Sequence, residues 1–342
     1  MRFLIISPPD LRTARIVDAF KSFGHEVELY IMDEFYRSCS YFDRKLYKFG
    51  YRSAEEKFNL KLIEETGAKC NAFRPDFILI LCGLCVPVTV QKFLAQYKII
   101  LWLWDSAEKS SILKNLVSLA DEVFCFDYDE QKILSEKYNV LTHYLPPGFN
   151  DKIYFPRELR RDIDILFVGF PYRDRVELME KICTHAVAEG WSVKIGGKWY
   201  DTRHFWKKYF FGRKYPHVIN FLDNRFIEPA ELAQLYSRSK ICLNINAVGN
   251  KSVSPRTFEI AATKSFQLMN VGQKSNGYMN FDVDLAIYDD AEDLIKKIKF
   301  YLADSELREK IAASGYKSVV ENCMPKKLVE KFLATSEVLK NF

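Results

Sequence analysis

Short apolar runs alternate with amphipathic stretches along the first half of the chain. FLIIS (3–7), EVELYI (26–31), FILIL (77–81), IILWLW (99–104), EVFCF (122–126) and VLTHYL (140–145) read as strands, with a helix from Leu11 to Phe23 between the first two. Gly24 closes that helix, and Gly67 is expected to end the helical stretch Ser53 to Thr66 in the same way. The pattern predicts a mostly parallel sheet with covering helices. A break follows at Pro146-Pro147-Gly148, extended by Pro156 and the charged run RELRRD, so 146–161 reads as a linker. Alternation then restarts with DILFVG, a helix from about Arg173 to Ala188, WSVKIGG, an aromatic-rich stretch, HVINF, a helix opening at Pro229, KICLNI, a helix opening at Pro255, FQLMN and DLAIY. The last 50 residues read as helical. The expected organisation is two α/β domains, 1–150 and 151–342, with the final helix able to pack back on the first. A ligand cleft is expected between the carboxyl ends of the two sheets.

Length and composition agree with two folded domains. The chain has 342 residues, 48% of them apolar and 28% charged, a balance that excludes extensive disorder. The longest uncharged apolar run, Phe77 to Val90, is 14 residues and contains Pro87, whereas a spanning helix needs about 20. MRFLIIS meets a proline pair without a long apolar region, so no secretory signal is read and a cytoplasmic location is expected, at the inner face of the membrane if it is membrane-associated. A net charge of +5 is too small to argue for nucleic acid, and none is expected as a partner. Cys82 and Cys85 form a C-x-x-C with no second pair or nearby histidine, so the cysteines read as packing residues and no metal site is expected. Ser7-Pro8-Pro9 after the first strand contains no glycine, which disfavours a nicotinamide-dependent oxidoreductase.

Candidate chemistry concentrates between Lys240 and Asn270. A buried strand leads through a polar loop to Ser254 and Pro255, the N-cap and first residue of a short helix carrying Arg256, Thr257 and Glu259. A helix start after a strand is suited to an anion, and Arg256 adds a charged fork that fits phosphate. Glu259 lies about one turn deeper, where a carboxylate can accept hydrogen bonds from the vicinal hydroxyls of a ribose. A capped surface helix with an Arg and a Glu facing solvent is the plainer alternative. In the first domain, Asp105 follows IILWLW and His143 ends VLTHYL, both where strand ends meet the expected cleft. Asp105 could serve as base or acceptor clamp. Alternatively, it caps the next helix and His143 is structural.

SPRTFEIAATKSFQLMN, followed by DLAIYDDAEDLIKKIKFYLADSELREKIAASGYKSV, resembles the carboxyl-terminal domain of GT-B glycosyltransferases, in the group 1 branch related to the spore maturation protein CgeB family. GHEVELY, PPGFNDKIYFP, DILFVGFPYRDR and RFIEPAELAQLYSRSKICLN are similar to further family segments, strongly over residues 150–325 and weakly before them. The resemblance implies two Rossmann-like domains facing a central cleft, and transfer of a sugar from a nucleotide-diphosphate sugar to a glycan or lipid-linked acceptor in bacterial surface polysaccharide synthesis. It needs no cofactor and no metal, and it implies retention of configuration. It makes Glu259 the ribose-binding carboxylate and Arg256 and Thr257 a diphosphate cradle. Arg173 or Arg175 becomes a second positive charge there, and Phe226 and Ile227 flank the base. The family's E-x7-E pattern has Lys251 in its first position here, a lysine able to reach a phosphate or an acidic sugar.

Three rivals stay open. Asp127-Tyr128-Asp129 at the end of EVFCF fits the D-x-D of a metal-dependent GT-A transferase, although Asp162-Ile163-Asp164 and Asp282-Val283-Asp284 repeat the triplet. A sugar-nucleotide epimerase shares the two-domain architecture. A non-catalytic carbohydrate-binding coat protein could retain it. Two stretches, Tyr36 to Arg52 and Arg203 to Tyr215, each combine five basic residues with six aromatics. Both suit an anionic membrane surface, and the first is preferred because it belongs to the expected acceptor domain. Single-stranded nucleic acid and a plain basic outer face are the alternatives.

Overall fold

The computed structural model describes residues 1–32, 34, 35, 40, 45, 52–246, 253–270 and 277–342. Lys251 and nearly all of Tyr36 to Arg52 lie outside these residues. The chain divides into two units, one of residues 1–148 with 325–342 and one of 149–324.

In the first unit the apolar runs become β1 (Arg2–Ser7), β2 (Glu26–Ile31), β3 (Phe77–Leu81), β4 (Ile99–Trp102), β5 (Glu122–Cys125) and β6 (Leu141–Tyr144). They pair in the order β2-β1-β3-β4-β5-β6, all parallel. Every residue of β3, β4 and β5 is buried, which is why those segments read as continuous apolar runs rather than alternating ones. The helices are α1 (Thr13–Ser22), α2 (Arg52–Phe73), α3 (Val88–Leu94), α4 (Ser111–Val117) and α5 (Tyr128–Tyr138). Gly24, at φ 81°, ends α1 as expected. Gly67 does not end a helix: α2 runs through it to Phe73, and a Cβ at Gly67 would stand 3.3 Å from the Phe93 ring of α3. Here the glycine serves close helix packing, not a stop.

The second unit repeats the plan. Its strands are β7 (Ile163–Val168), β8 (Val193–Gly196), β9 (Leu222–Asp223), β10 (Ser239–Asn244), β11 (Gln267–Met269) and β12 (Ala286–Ile287), parallel in the order β12-β11-β10-β7-β8-β9. They alternate with α6 (Arg173–Glu189), α7 (Phe205–Lys214), α8 (Val218–Phe221), α9 (Pro229–Arg238) and α10 (Pro255–Ala262), and α11 (Ala291–Ala303) and α12 (Ser305–Asn322) follow. HVINF, expected as a strand, is mostly α8. Its β-branched residues are overruled by Glu180 of α6, whose carboxylate accepts the amides of His217 and Val218 (3.1 and 2.9 Å) and thereby caps the helix start. Gly315 of α12 is required, because a Cβ there would lie 2.3 Å from the Asp284 carbonyl.

The chain ends with α13 (Pro325–Thr335) and α14 (Glu337–Lys340), which return to the first unit. Phe332 packs on Phe124, Phe20 and Trp102 at centroid distances of 4.4, 5.5 and 5.9 Å. Fully buried Glu122 at the start of β5 accepts the Glu337 amide (2.9 Å) and the Ser336 hydroxyl, and pairs with His143 Nε2 at 2.8 Å. Burial alone would raise the Glu122 carboxyl, but the hydrogen bonds from His143, Ser336 and Glu337 outweigh it and hold the group below its ordinary value of 4.5. Its contribution is therefore complete above that value and is lost as pH falls through the lower folded value. Acid titration of thermal stability should show a loss setting in below about pH 4.5, and Glu122→Gln should blunt that loss while lowering stability at neutrality. A variant with an unchanged acid profile would remove this role.

Candidate functional site

At the carboxyl edge of the second sheet, two glycines and an indole set the loop after β8. Gly197 has φ 139°, and a Cβ there would stand 2.5 Å from the Gly169 carbonyl, so the chain passes only as glycine. Trp199 Nε1 donates to that same carbonyl at 2.9 Å. Asn224 Oδ1 accepts the amides of Trp199 and Tyr200 (2.6 and 3.2 Å), fixing the turn from the far side. Ile227 is buried against Gly196, whose Cβ position is 2.9 Å from Ile227 Cγ1, whereas Phe226 beside it is exposed.

A second set of polar contacts fixes the entry into α10. Asn244, fully buried at the end of β10, donates to Thr257 Oγ1 at 2.7 Å and accepts from Ser254 Oγ at 3.3 Å. Gln267 Nε2 bonds the Thr257 carbonyl (3.0 Å), and Asn270 Oδ1 accepts the Asn246 amide (2.7 Å). Ser254 occupies the cap position, but its hydroxyl turns to Asn244 instead of capping the helix. Thr257 is fully buried, with its hydroxyl in this network and its amide on the Ser254 carbonyl at 3.0 Å. Its side chain is therefore a brace under the helix start and is not presented to a diphosphate.

Arg256, the second residue of α10, is half-buried and within electrostatic reach of Arg175. Arg175 is the third residue of α6 and only 8% exposed. Its guanidinium lies 4.8 Å over the Tyr172 ring, and its Nε meets no acceptor among the described residues. Burial, and then the positive charge of Arg256, lower its affinity for its proton. An anion would supply the acceptor that the buried Arg175 Nε lacks. The hydroxyls of Tyr236 and Tyr288 are buried there without a partner among the described residues. Burial raises both phenols; Tyr288 feels Arg175, and Tyr236 feels Arg256 and Glu259. Glu259 is half-buried three residues after Arg256, on the same face of α10. Arg173, two residues before Arg175, instead points outward and pairs with Glu177 at 2.8 Å.

The first unit gathers a different group at its own carboxyl edge. Asp10 accepts Arg12 through the amide and two guanidinium nitrogens (2.8, 2.8 and 2.7 Å), and that guanidinium lies 4.2 Å over Trp104. Burial would raise the Asp10 carboxyl, but Arg12 wins and holds it below the usual aspartate range. Trp104 is buried, and its indole N–H finds no acceptor among the described residues. Cys82, at φ 65° directly after β3, donates its thiol to Asp105 Oδ2 at 3.3 Å. Burial, helped by the Asp105 charge, pushes that thiol up to about 12, so it stays a donor. Asp105 itself is exposed. His143 is not part of this group. It faces Phe124 in the β5–β6 register, yet its ring reaches back to Glu122 at the amino-terminal end of β5.

The D-x-D triplets have structural roles. Asp127 caps α5 by accepting the amides of Asp129 and Glu130, Asp162 pairs with Arg238, and Asp284 accepts Ser314 and Ser318 of α12. No group of three metal-ligating side chains occurs among the described residues. No helix among them is long and apolar enough to cross a membrane.

Residues 173–334 match the family described as glycosyl transferase-like. The matched region belongs to a glycosyltransferase family, and the chain has the GT-B fold. The spore protein CgeB of Bacillus subtilis (strain 168) is 26% identical over 311 residues, covering 85% of this chain and 93% of that protein. Among solved structures, this GT-B chain is similar in fold to sucrose-phosphate synthase from Thermosynechococcus elongatus, with TM-score 0.68 at 13% identity over 100% of this chain and 99% of that one. HepE of Anabaena, solved in complex with UDP-glucose, gives TM-score 0.66 at 13% identity with both chains fully covered. A glycosyltransferase from Rickettsia africae gives 0.66 at 14% over 100% and 99%.

Proposed function

We propose that this protein transfers a sugar from a nucleoside-diphosphate sugar to a hydroxyl of a glycan or glycolipid in surface polysaccharide assembly, without a metal and with retention of anomeric configuration. The observation that carries the reading is Arg175, 8% exposed over the Tyr172 ring with no acceptor for its Nε among the described residues, in the same unit as the α10 start that carries Arg256 and Glu259. Breaking the bond between the sugar C1 and the diphosphate leaves negative charge on phosphate oxygens. Guanidiniums of Arg175 and Arg256 bonded to those oxygens stabilise that charge more in the transition state than in the bound donor. Glu259, one turn deeper on α10, accepts the ribose hydroxyls. The acceptor hydroxyl's oxygen forms the new bond to C1 as the bond from C1 to the diphosphate breaks, and its proton passes to the departing diphosphate. Within the first unit, exposed Asp105, bonded by the Cys82 thiol, is the candidate acceptor-binding carboxylate. UDP in the HepE structures makes a uridine nucleotide the first donor to try.

The test is calorimetric titration with UDP-, GDP-, dTDP- and CMP-sugars, followed by product analysis with an acceptor. One nucleotide class should bind, and Glu259→Ala should weaken it at least tenfold with little change in stability, since two hydrogen bonds to a carboxylate are each worth about 1.5–3 kcal/mol. Unaltered binding by Glu259→Ala would move the donor elsewhere. Binding with an epimerised sugar as sole product would replace transfer by epimerisation, and binding with no turnover would favour a carbohydrate-binding coat protein.

A further inference from the structure

Helix α7 of the second unit sits on the fold with almost none of itself buried. None of its ten residues is buried, and Phe205, Tyr209, Phe210 and Trp206 are 82, 61, 63 and 45% exposed. A helix of ten residues is marginal in water on its own. It is anchored by Phe211, whose ring lies 5.4 Å from Tyr200, 5.2 Å from Tyr215 and 6.3 Å from Trp199. At 100° per residue, Phe205, Trp206, Tyr209 and Phe210 share the face opposite that anchor, with Arg213 among them and Lys208 and Lys214 along its two borders. Arg203 and Lys207 share Asp201, and no acidic residue occurs between 203 and 215.

Contiguous exposed aromatics of this kind mark a surface that is covered in use. The flanking charge selects the cover. Lysines on both borders can bury their stems while their ammonium groups reach phosphates, and the polar tips of Trp206 and Tyr209 suit the headgroup level. We propose that α7 is a membrane-docking helix, which lies in the plane of an anionic bilayer with its four aromatics at the headgroup–acyl boundary. The shallow groove beside it, lined by Lys208, Arg213 and Ile219, takes a lipid phosphate with its first methylenes. The inference does not rest on the donor site, and it places attachment on the unit that carries that site.

Vesicle flotation of the full chain tests it, with phosphatidylcholine alone and with phosphatidylcholine containing phosphatidylglycerol. The wild-type protein should float only with the anionic vesicles, and less so at high salt. Lys208→Glu/Arg213→Glu and, separately, Phe205→Ser/Tyr209→Ser/Phe210→Ser should each lower vesicle partitioning by at least about tenfold, with unchanged melting temperature and unchanged affinity for soluble donor. A wild-type protein that stays with the soluble fraction at low salt, or variants that float equally well, would overturn the proposal. So would a dimer in light scattering that the same substitutions dissociate without any vesicle binding.

Discussion

Arg256→Ala should weaken binding of the nucleoside-diphosphate sugar by about two orders of magnitude, and Arg175→Ala by a similar factor. A guanidinium bonded to phosphate through charged hydrogen bonds contributes roughly 3 kcal/mol, which is a little over a hundredfold in Kd. The two variants should differ in stability. Arg256 is half-buried at the second position of α10, so Arg256→Ala should leave folding nearly unchanged. Arg175→Ala also removes packing over Tyr172 and should cost some stability. Arg173→Ala is the control: two residues away and paired outward with Glu177, it should change donor affinity by less than twofold. Calorimetric titration of the three variants decides the matter, and an Arg173→Ala effect as large as that of Arg175→Ala would reject the inward placement.

Phe332→Ala should destabilise the first unit by about 3–5 kcal/mol, the usual range for an aromatic ring removed from a closed core. The ring is fully buried against Phe124, Phe20 and Trp102, on a helix that arrives from the far end of the sequence. Its loss leaves a cavity that α13 can close only by sliding. Sliding would pull Ser336 and Glu337 away from Glu122. Denaturant unfolding should therefore show a lowered transition for the first unit, and Phe332→Leu should recover most of the loss. A change below about 1 kcal/mol would mean that the carboxyl-terminal segment is only loosely attached.

The two parallel sheets were legible in the sequence because buried parallel strands must be continuous apolar runs, and β3, β4 and β5 are; the GT-B fold itself came from the resemblance of the segment around Arg256 and Glu259. Where the reading erred, a contact distant in sequence decided. Glu180 turns HVINF into a helix, and Phe93 turns an apparent stop at Gly67 into a packing site. The candidate site was legible in the same uneven way. Arg256 and Glu259 could be found because a strand, a cap and a proline announce the helix that carries them. The choice between Arg173 and Arg175 depends on the rotation of one helical turn, which the pattern does not set. Tyr236 on α9 and Tyr288 after β12 are buried with no hydroxyl partner among the described residues, which no local pattern announces. The one available signal was the pair of asparagines in ICLNIN, since polar side chains inside a buried strand must find partners and mark where the network begins.

The return of residues 325–342 to the first unit also orders events during synthesis. The ribosome releases the six strands of the first sheet early, yet the ring that closes over Trp102, Phe124 and Phe20 is translated only after the whole second unit. Until the second unit has emerged in full, the nascent chain carries an aromatic surface open to water, the kind of surface that recruits chaperones or sticks to its neighbours. A premature stop between Tyr144 and Pro325 should therefore yield an insoluble product even though every strand of the first sheet is present.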